Sequence, residues 1–453
     1  MRAWLAYVWY QLTAGLWVVP ALMSASAVVL AIVTLTLDHA VSLPWLDQVD
    51  GIFAVGPEGA RLVLSTIAGS MITVASLVFS MTLVALTLAS SQLGPRLITR
   101  FMRDGINQVV LGTFIATFLY ALLVLQTVIE ADAESAAFVP HISVTMALLL
   151  TLISLGWLVY FIHHVADSIQ ADTVIAEVYH DLNHALDHMY PRLAAHEPAT
   201  WATKPVPTDL LAKEPASIPA PKAGYVQTIG THALLRLARE HDLVIEIACR
   251  PGHFMIAGQP LMQIWPSARV NEEVADAAAD EVILGPKRTP TQDVEFSIGA
   301  LVEIALRALS PGINDPRTAM TCIDRLAAAL AHLLRCGHRS PLIHDRDGTL
   351  RLITHPTTFA GALDASFNQI RQAASGHASV LIRLIEALTA VAEIATADHQ
   401  RLALARHAAM VRRACRRSLP EHDDRADTER RLQRLEAALA KRPETDAGQV
   451  PLA

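Results

Sequence analysis

Residues 62–95 constrain the chain most strongly, because this stretch contains no ionisable side chain. As an α-helix, its about 34 residues would be roughly 50 Å long, whereas the hydrocarbon core of a bilayer is roughly 30 Å thick. Such a segment is too apolar and too long for an ordinary helix of a soluble protein. The sequence therefore predicts a membrane-spanning helix that extends beyond the bilayer.

Hydroxyl side chains recur along this segment, mostly at steps of three or four residues, which places them on one face of a helix. Two interpretations fit this polar stripe. The stripe packs closely against neighbouring membrane helices, or it lines a pore in which hydroxyls replace part of an ion's hydration shell. A pore requires several copies of the chain, since one helix cannot enclose it. The candidate pore-lining residues are Thr66, Ser70, Thr73, Ser76, Ser80, Thr87 and Ser91.

Four hydrophobic spans are predicted, at about residues 12–37, 62–90, 108–129 and 141–162. The composition agrees, since 52% of the residues are hydrophobic and only 17% are charged, against about 25% charged in soluble proteins. The first span is too long for a cleaved signal peptide and has only Arg2 before it, so we expect it to be retained. A net charge of −7 gives no support for nucleic-acid binding.

The charges of the connecting loops predict the orientation. The first and third loops are acidic, and the second loop carries three arginines. Because Lys and Arg are retained on the cytoplasmic side, both termini are predicted to be cytoplasmic. If a pore exists, its cytoplasmic mouth could attract anions; alternatively, the arginines are a topology signal in contact with lipid headgroups. The mouth residues are Gln92, Arg96, Arg100 and Arg103.

The predicted fold is an α-helical membrane domain with four transmembrane helices, followed by a cytoplasmic α+β domain. The sequence divides into a membrane domain (1–165), a juxtamembrane helix with a Pro-rich linker (166–222), a small β-rich module (223–268), a helical domain (269–418) and a charged C-terminal tail (419–453). We expect the tail helix to be solvated, with weak pairing to another copy as the alternative.

The segment GYV … RPGHFMIAGQPL in the β-rich module resembles the small barrel-sandwich domains of biotinyl and lipoyl carriers. The lysine that those carriers modify has no counterpart here. The resemblance therefore implies the scaffold alone, and no cofactor is predicted.

Three histidines share one face of the predicted juxtamembrane helix. His180, His184 and His188 are spaced four residues apart, a geometry that suits zinc or nickel. A pH-responsive surface, or an exposed or inter-subunit face, is the alternative. The four cysteines are scattered without a CxxC pair, so we interpret them as reduced structural residues.

The helical domain contains a corner between two helices. Pro311 and Gly312 end one helix, and Asp315 as N-cap with Pro316 at the first position begins the next. Such a helix N-terminus could also bind an anion or a partner's backbone. The residues of this corner are Ser310, Pro311, Gly312, Asn314, Asp315 and Pro316.

This corner lies within RALSPGINDPRTAMTCIDRL, which follows QDVEFSIGALVEIA; SMITVASLVFSMTLVALTLASSQLGPRL occurs in the membrane half. With these motifs the chain resembles a family of bacterial predicted membrane proteins, domain of unknown function 2254, from about residue 17 to residue 388. The resemblance implies four inner-membrane spans and a cytoplasmic domain. It implies no established activity and no catalytic residues.

No Walker loop, GxGxxG, GxSxG or HExxH motif occurs, and we therefore predict that the protein is not an enzyme. The leading hypothesis is a homo-oligomeric ion channel in which span 62–90 lines the pore and the cytoplasmic domain controls gating. Its partners would be the lipid bilayer, other copies of the chain and inorganic ions. The alternative is a non-conducting sensor, adaptor or scaffold whose cytoplasmic domain binds a ligand or partner.

Overall fold

The computed structural model describes residues 17–40, 56–94, 105–129, 138–168, 170–190, 213–336 and 340–441. The chain divides into two compact units, Met1–Thr173 and Val174–Ala453. Four helices of the first unit are long and apolar enough to cross a membrane, which confirms the four predicted apolar spans. These are α1 (Val18–Ala40), α2 (Pro57–Leu93), α3 (Gly105–Leu125) and α4 (His141–Ser168).

The third helix is the centre of the membrane unit. Helix α3 packs against α1, α2 and α4. Half of its apolar window is buried within the unit, against 22% for each of the other three helices. The buried aromatic rings of Phe114 and Tyr120 contribute most to this core. The longest apolar helix, α2, therefore lies at the side of the bundle.

Helices α1 and α3 approach each other closely at Gly112. A Cβ atom at this position would lie 2.6 Å from Met23 Sδ and 3.1 Å from Pro20 Cα. Small residues allow this kind of close contact between membrane helices. The glycine therefore fixes the separation of α1 and α3.

Polar contacts join one end of α1 to the start of α4. The Asp38 carboxylate accepts the backbone N–H groups of Ile142 at 2.8 Å and Ser143 at 3.0 Å, and also the Ser143 hydroxyl at 2.6 Å. An anion at a helix N-terminus is stabilised by the unpaired N–H groups and by the helix dipole. Nearby, the Tyr120 hydroxyl donates to the Ser143 carbonyl oxygen at 3.2 Å and lies 2.8 Å from the Thr34 hydroxyl.

The second unit is an α/β region with two sheets. The five-stranded sheet has the order β1-β5-β3-β8-β7 and the three-stranded sheet has the order β4-β2-β6. All strand pairs are antiparallel except β3–β8, which is parallel. The strands are β1 (Ala216–Pro219), β2 (Gly224–Ile229), β3 (Val244–Ile247), β4 (Phe254–Met255), β5 (Pro260–Trp265), β6 (Val282–Gly285), β7 (Leu342–His344) and β8 (Leu350–Ile353).

The sheets correct the barrel-sandwich expectation for the β-rich module. The described strands form two open sheets and no closed barrel. The edge of β3 is covered by β8, which lies about a hundred residues later in the chain (Ile245 pairs with Leu352). A local sequence pattern could not reveal this distant pairing, and it makes the module part of a larger sheet.

Nine α-helices of the described chain accompany these strands. Helix α8 packs against α9 and α10, and α11 packs against α9, α12 and α13. The helices are α5 (Ala171–Met189), α6 (Thr231–Glu240), α7 (Glu272–Asp280), α8 (Val294–Ala308), α9 (Pro316–Cys336), α10 (Phe359–Ala373), α11 (Ala378–Ile394) and α12 (Asp398–Ser418), with α13 (His422–Ala440) following them.

The charged C-terminal helix α13 is docked on the helical region, in contrast to the expected solvated tail. Its Leu432 and Leu435 are buried. Arg412 of α12 forms ion pairs with Glu429 at 3.1 Å and Glu436 at 2.7 Å. The thin leucine stripe therefore binds α11 and α12 of the same chain, which explains how so few apolar residues hold the helix.

Replacing Gly112 with Leu is expected to destabilise the membrane unit, because the side chain has no space against α1. Overpacking of this kind costs about 1–3 kcal/mol. The measurement is thermal unfolding of the full chain in detergent. Gly156→Leu is the control, since no atom lies within 4 Å of its Cβ position. Equal unfolding temperatures for the two variants would contradict the close contact.

Candidate functional site

The candidate site is one face of α2. This helix has 37 residues, begins with Pro57 in its first turn and ends at Gly94, whose φ of 120° no longer allows a helix. Its length is roughly 55 Å at about 1.5 Å per residue, well beyond the bilayer core. The helix therefore stops immediately before Pro95 in the sequence.

Helix α2 uses a single face to pack on the bundle. Residues of this face are small or aliphatic, and they contact α3 and α4. At about 100° per residue the face lies opposite the hydroxyl stripe. The buried residues are Ala60, Leu64, Ile67, Ala68, Met71, Ala75, Val78 and Ala85.

All seven candidate pore residues lie on the exposed face of α2. These residues make no contribution to the packing of the four membrane helices in one chain. The stripe therefore does not pack against the chain's own described helices. The face is therefore available to lipid, to water or to another molecule. The exposed hydroxyl residues are Thr66, Ser70, Thr73, Ser76, Ser80, Thr87 and Ser91.

The threonines of the stripe donate their hydroxyl protons to the backbone of their own helix. Thr66 donates to the Leu62 carbonyl oxygen at 2.7 Å, and Thr73 donates to the Gly69 carbonyl oxygen at 2.8 Å. Thr87 makes the same contact one turn back, at 2.8 Å. Because a hydroxyl has one proton and two lone pairs, the remaining lone pairs act as acceptors. The face thus offers acceptor oxygens, which suit cations or external hydrogen-bond donors.

All of the stripe residues except Ser76 follow a strict heptad pattern. Positions 66, 70, 73, 77, 80, 84, 87 and 91 alternate steps of four and three residues, and six of the eight carry a hydroxyl. Leu77 and Val84 occupy the other two positions, with 55% and 63% of their surface exposed. A sustained seven-residue repeat is typical of helices that wrap around each other with a left-handed twist. The repeat is visible in the sequence once Leu77 and Val84 are counted with the hydroxyls.

The predicted cytoplasmic mouth is only partly described. Gln92 lies in α2, but its side chain is outside the described part of the chain, as are Arg96, Arg100 and Arg103. At the other end of α2, Glu58 and Arg61 are exposed in the first turns. No ionisable residue lies between Arg61 and the end of α2.

The histidine face of α5 remains a prediction. His180 and His184 are exposed, and the side chain of His188 lies outside the described residues. The opposite side of α5 is apolar and buried, with Ile175, Leu182 and others in its core. His180 and His184 therefore lie on the exposed side of the helix, away from its buried residues.

The predicted corner between α8 and α9 is confirmed as a helix connection. Asp315 Oδ1 accepts the backbone N–H groups of Arg317 and Thr318, each at 3.1 Å, and Oδ2 accepts the Thr318 hydroxyl at 2.6 Å. Asn314 adopts a left-handed φ of 49°, and Asp315 N donates to the Ala308 carbonyl oxygen at 2.7 Å. Because the Asp315 carboxylate already binds the helix N-terminus, the alternative of an external anion there is disfavoured.

The other signature residues complete this corner. The Ser310 hydroxyl donates to the Arg307 carbonyl oxygen at 2.6 Å, and the Ser310 carbonyl oxygen accepts from Asn314 N at 2.8 Å. Pro311 and Gly312 are exposed at the turn, and Pro316 begins α9. The motif thus fixes the angle of the chain between two helices of the second unit.

Sequence reasoning missed the role of Asp38, which it counted only as a loop charge. The structure uses Asp38 to hold the N-terminus of α4, about a hundred residues away. No local signal identifies such a contact, although a carboxylate at the end of an apolar span is unusual enough to draw attention.

A family model described as "Predicted membrane protein (DUF2254)" matches residues 13–390. An uncharacterised protein of Mycobacterium bovis is 34% identical over 375 residues, which cover 82% of this chain and 71% of that protein. An uncharacterised protein of Mycobacterium tuberculosis has the same identity and the same coverage. No solved structure matches the chain.

Replacing Asp315 with Ala is expected to lower the unfolding temperature of the second unit. Loss of an N-cap costs about 1 kcal/mol, which corresponds to about 2–4 °C in a region of this size. Thermal unfolding of the full chain in detergent measures the change. Asp276→Ala, which removes an exposed carboxylate from the middle of α7, is the control and should have little effect.

The difference in unfolding temperature between the unmodified protein and Asp315→Ala should depend on pH. The hydrogen bond from the Thr318 hydroxyl, aided by two backbone N–H groups, lowers the pKa of Asp315 below its usual value. The cap therefore contributes fully above the unfolded pKa of about 3.9 and is lost as the pH falls through the lower folded pKa. An Asp315→Ala effect that did not shrink under acidic conditions would contradict this assignment.

Proposed function

Since the chain belongs to the family of predicted membrane proteins known as DUF2254, we propose that it is a bacterial inner-membrane protein whose copies assemble into an ion channel. In this proposal the hydroxyl faces of several α2 helices meet and enclose the pore. One observation carries it: α2 packs on its own bundle with the opposite face and leaves the hydroxyl face exposed.

The heptad pattern supports parallel association of identical helices. When the same helix from several copies packs in register, each heptad position forms a ring. The hydroxyl face then yields rings of hydroxyls, interrupted by rings of Leu77 and Val84. A membrane interface between copies would also gain from small residues such as Gly69, Ser70 and Ser76, which allow close approach.

The chemistry of the rings favours a cation. The threonine protons are directed to the helix backbone, so the oxygens present lone pairs to an ion. Oxygen rings of this kind replace the hydration shell of a permeating cation. A ring of Glu58 at the first turn of α2 would raise the local cation concentration at that entrance. The absence of ionisable residues from α2 beyond Arg61 fits conduction better than transport coupled to a proton.

Leu77 and Val84 are the proposed constriction. Apolar rings within an otherwise polar pore gate by expelling water. Both side chains are largely exposed in a single chain. In the proposed assembly, Leu77 and Val84 of the neighbouring copies would cover them.

The orientation is also part of the proposal. Three arginines stand in the sequence between α2 and α3, and because Lys and Arg are retained on the cytoplasmic side, they support a cytoplasmic location for this connection and for the second unit. The second unit would then be the cytoplasmic domain that controls opening. It is large enough for this task, with two sheets and a buried helical core.

A second candidate function is a non-conducting sensor or scaffold. The observation that favours it is that the threonine hydroxyls already have an internal acceptor. The α2 faces of two copies could then pack tightly without water between them. This candidate shares the interface and differs only in the absence of conduction, so the two are separated by measuring ion flux and oligomer mass.

Replacing Ser80 with Leu is expected to reduce the conductance of the reconstituted full chain. Loss of an ion contact worth about 1 kcal/mol corresponds to about a fivefold lower conductance. Planar-bilayer recordings, combined with native mass spectrometry of the oligomer, provide the measurement. The matched control is Thr36→Leu, which removes an exposed hydroxyl from α1 that also bonds to its own helix.

The control should conduct like the unmodified protein, because Thr36 lies outside the α2 face. A verified oligomer that passes no ions in several salts, voltages and membrane tensions would overturn the channel proposal and leave the scaffold. An equal loss of conductance in Ser80→Leu and Thr36→Leu would show that Ser80 does not line the pore.

A further inference from the structure

Three side chains that are able to bind metals converge in the second unit. Asp187 comes from α5, and His332 and Cys336 come from the last turns of α9. Asp187 Oδ1 lies 2.9 Å from His332 Nε2, and Cys336 Sγ lies 3.5 Å from the same nitrogen. The three ligand atoms all lie within 4.8 Å of one another.

A second side-chain contact joins the two helices that carry these ligands. His332 and Cys336 are four residues apart and share one face of α9. About two turns earlier on both helices, the Arg325 guanidinium lies over the Tyr179 ring, 5.2 Å from its centroid. This contact aligns α5 with α9 independently of the three ligands.

The cluster combines a rigid part and an adjustable part. Cys336 is buried, His332 is half-buried, and Asp187 is exposed. The two ligands on α9 are thus held by the core, whereas the carboxylate is able to adjust its position. This is a suitable combination for closing a metal site after the protein has folded.

His332 Nε2 faces both a carboxylate oxygen and a thiol sulfur. A proton on Nε2 joins the nitrogen to the Asp187 carboxylate alone. A metal ion in the position of that proton would bind all three atoms at once.

The distances are close to those around tetrahedral zinc. Bonds of about 2.0–2.1 Å to nitrogen and oxygen and about 2.3 Å to sulfur place nitrogen about 3.3 Å from oxygen and about 3.6 Å from sulfur. The observed separations are 2.9 Å and 3.5 Å. The exposed Asp187 carboxylate needs to move outward by only about 0.4 Å to admit the ion.

We propose that Asp187, His332 and Cys336 bind a divalent transition-metal ion, with zinc as the best match. A thiolate, an imidazole and a carboxylate suit zinc or cobalt, whereas the thiolate disfavours magnesium and calcium. Three protein ligands leave the fourth position to water. On binding, the Cys336 thiol releases its proton to solvent as the sulfur–metal bond forms, and no oxidation state changes.

The bound metal would fasten α5 to α9. Since α5 follows the fourth membrane helix in the sequence, metal binding would stabilise the first helix of the second unit against its helical region. The proposal does not depend on conduction, and it stands if the protein is a scaffold.

The test uses the full chain in detergent, without a polyhistidine tag and stripped of metal by a chelator. Zinc affinity is measured by calorimetry, and Co²⁺ is added as a spectroscopic probe of the ligands. The unmodified protein should bind one zinc ion per chain, and Co²⁺ should give thiolate charge-transfer absorption and tetrahedral ligand-field bands. Zinc should also raise the unfolding temperature.

Two variants, Cys336→Ala and Asp187→Ala, test whether each of these side chains contributes to zinc binding. Each should weaken zinc binding by more than about 100-fold, because loss of an outer-shell partner alone costs about 10–100-fold. Cys336→Ala should also abolish the thiolate absorption. Asp187 is exposed, so its variant should fold even if the buried cysteine variant does not. Cys322→Ala, on the same helix, and His184→Ala, on the histidine face of α5, are the matched controls and should retain binding.

Three results would overturn the proposal. The first is zinc binding that is unchanged by Asp187→Ala. The second is a cobalt spectrum of the unmodified protein without a thiolate band. The third is loss of zinc binding in His184→Ala with retention in Asp187→Ala, which would assign the metal to the histidine face of α5 instead.

Discussion

The packing of α2 against α3 determines what the membrane unit is able to do. Helix α2 gives its small and aliphatic face to the bundle, from Ala60 and Leu64 to Val78 and Ala85. When the neighbouring helices all lie on one side, a helix buries only the residues of the face that points to them. The opposite face, with its hydroxyls in a seven-residue repeat, is therefore left for something outside the chain. Every part of the functional proposal depends on this division.

Lipid alone is a poor explanation of the repeat. A lipid-facing helix surface needs only apolar side chains, and it has no reason to keep a strict alternation of four and three residues. Water alone does not explain it either, because Leu77 and Val84 continue the same pattern. The proposed contact between identical helices would account for the seven-residue period and for the mixture of hydroxyl and apolar residues, because each position would then meet the same position of the next copy.

Much of this architecture is predictable from the sequence, because its signals are local. The four spans follow from hydropathy, and the corner follows from the chemistry of Pro311, Gly312 and Asp315 within a few residues. The stripe itself follows from helical periodicity. What the sequence could not reveal is which side of α2 faces the bundle, because its apolar residues and hydroxyls are both acceptable in a helix interface.

The unpredicted features all join residues that are far apart in the chain. Asp38 holds the start of α4, β8 continues the sheet beside β3, and Asp187 meets His332 and Cys336 of α9. Each contact depends on how distant elements pack, which no local pattern encodes. The HxxxC spacing of His332 and Cys336 was visible, but two ligands on one helix are too common to indicate a metal site without the third.

Labelling of single cysteines introduced into α2 tests the central claim most directly. The four native cysteines are buried, and burial raises the pKa of Cys249 to about 11, so the background reactivity is low. We predict that a charged, water-soluble thiol reagent labels cysteines that replace Thr66 and Thr73 in the membrane and spares those that replace Ile72 and Phe79. Equal labelling of the two pairs, or labelling of neither, would contradict a water-filled pore on the hydroxyl face.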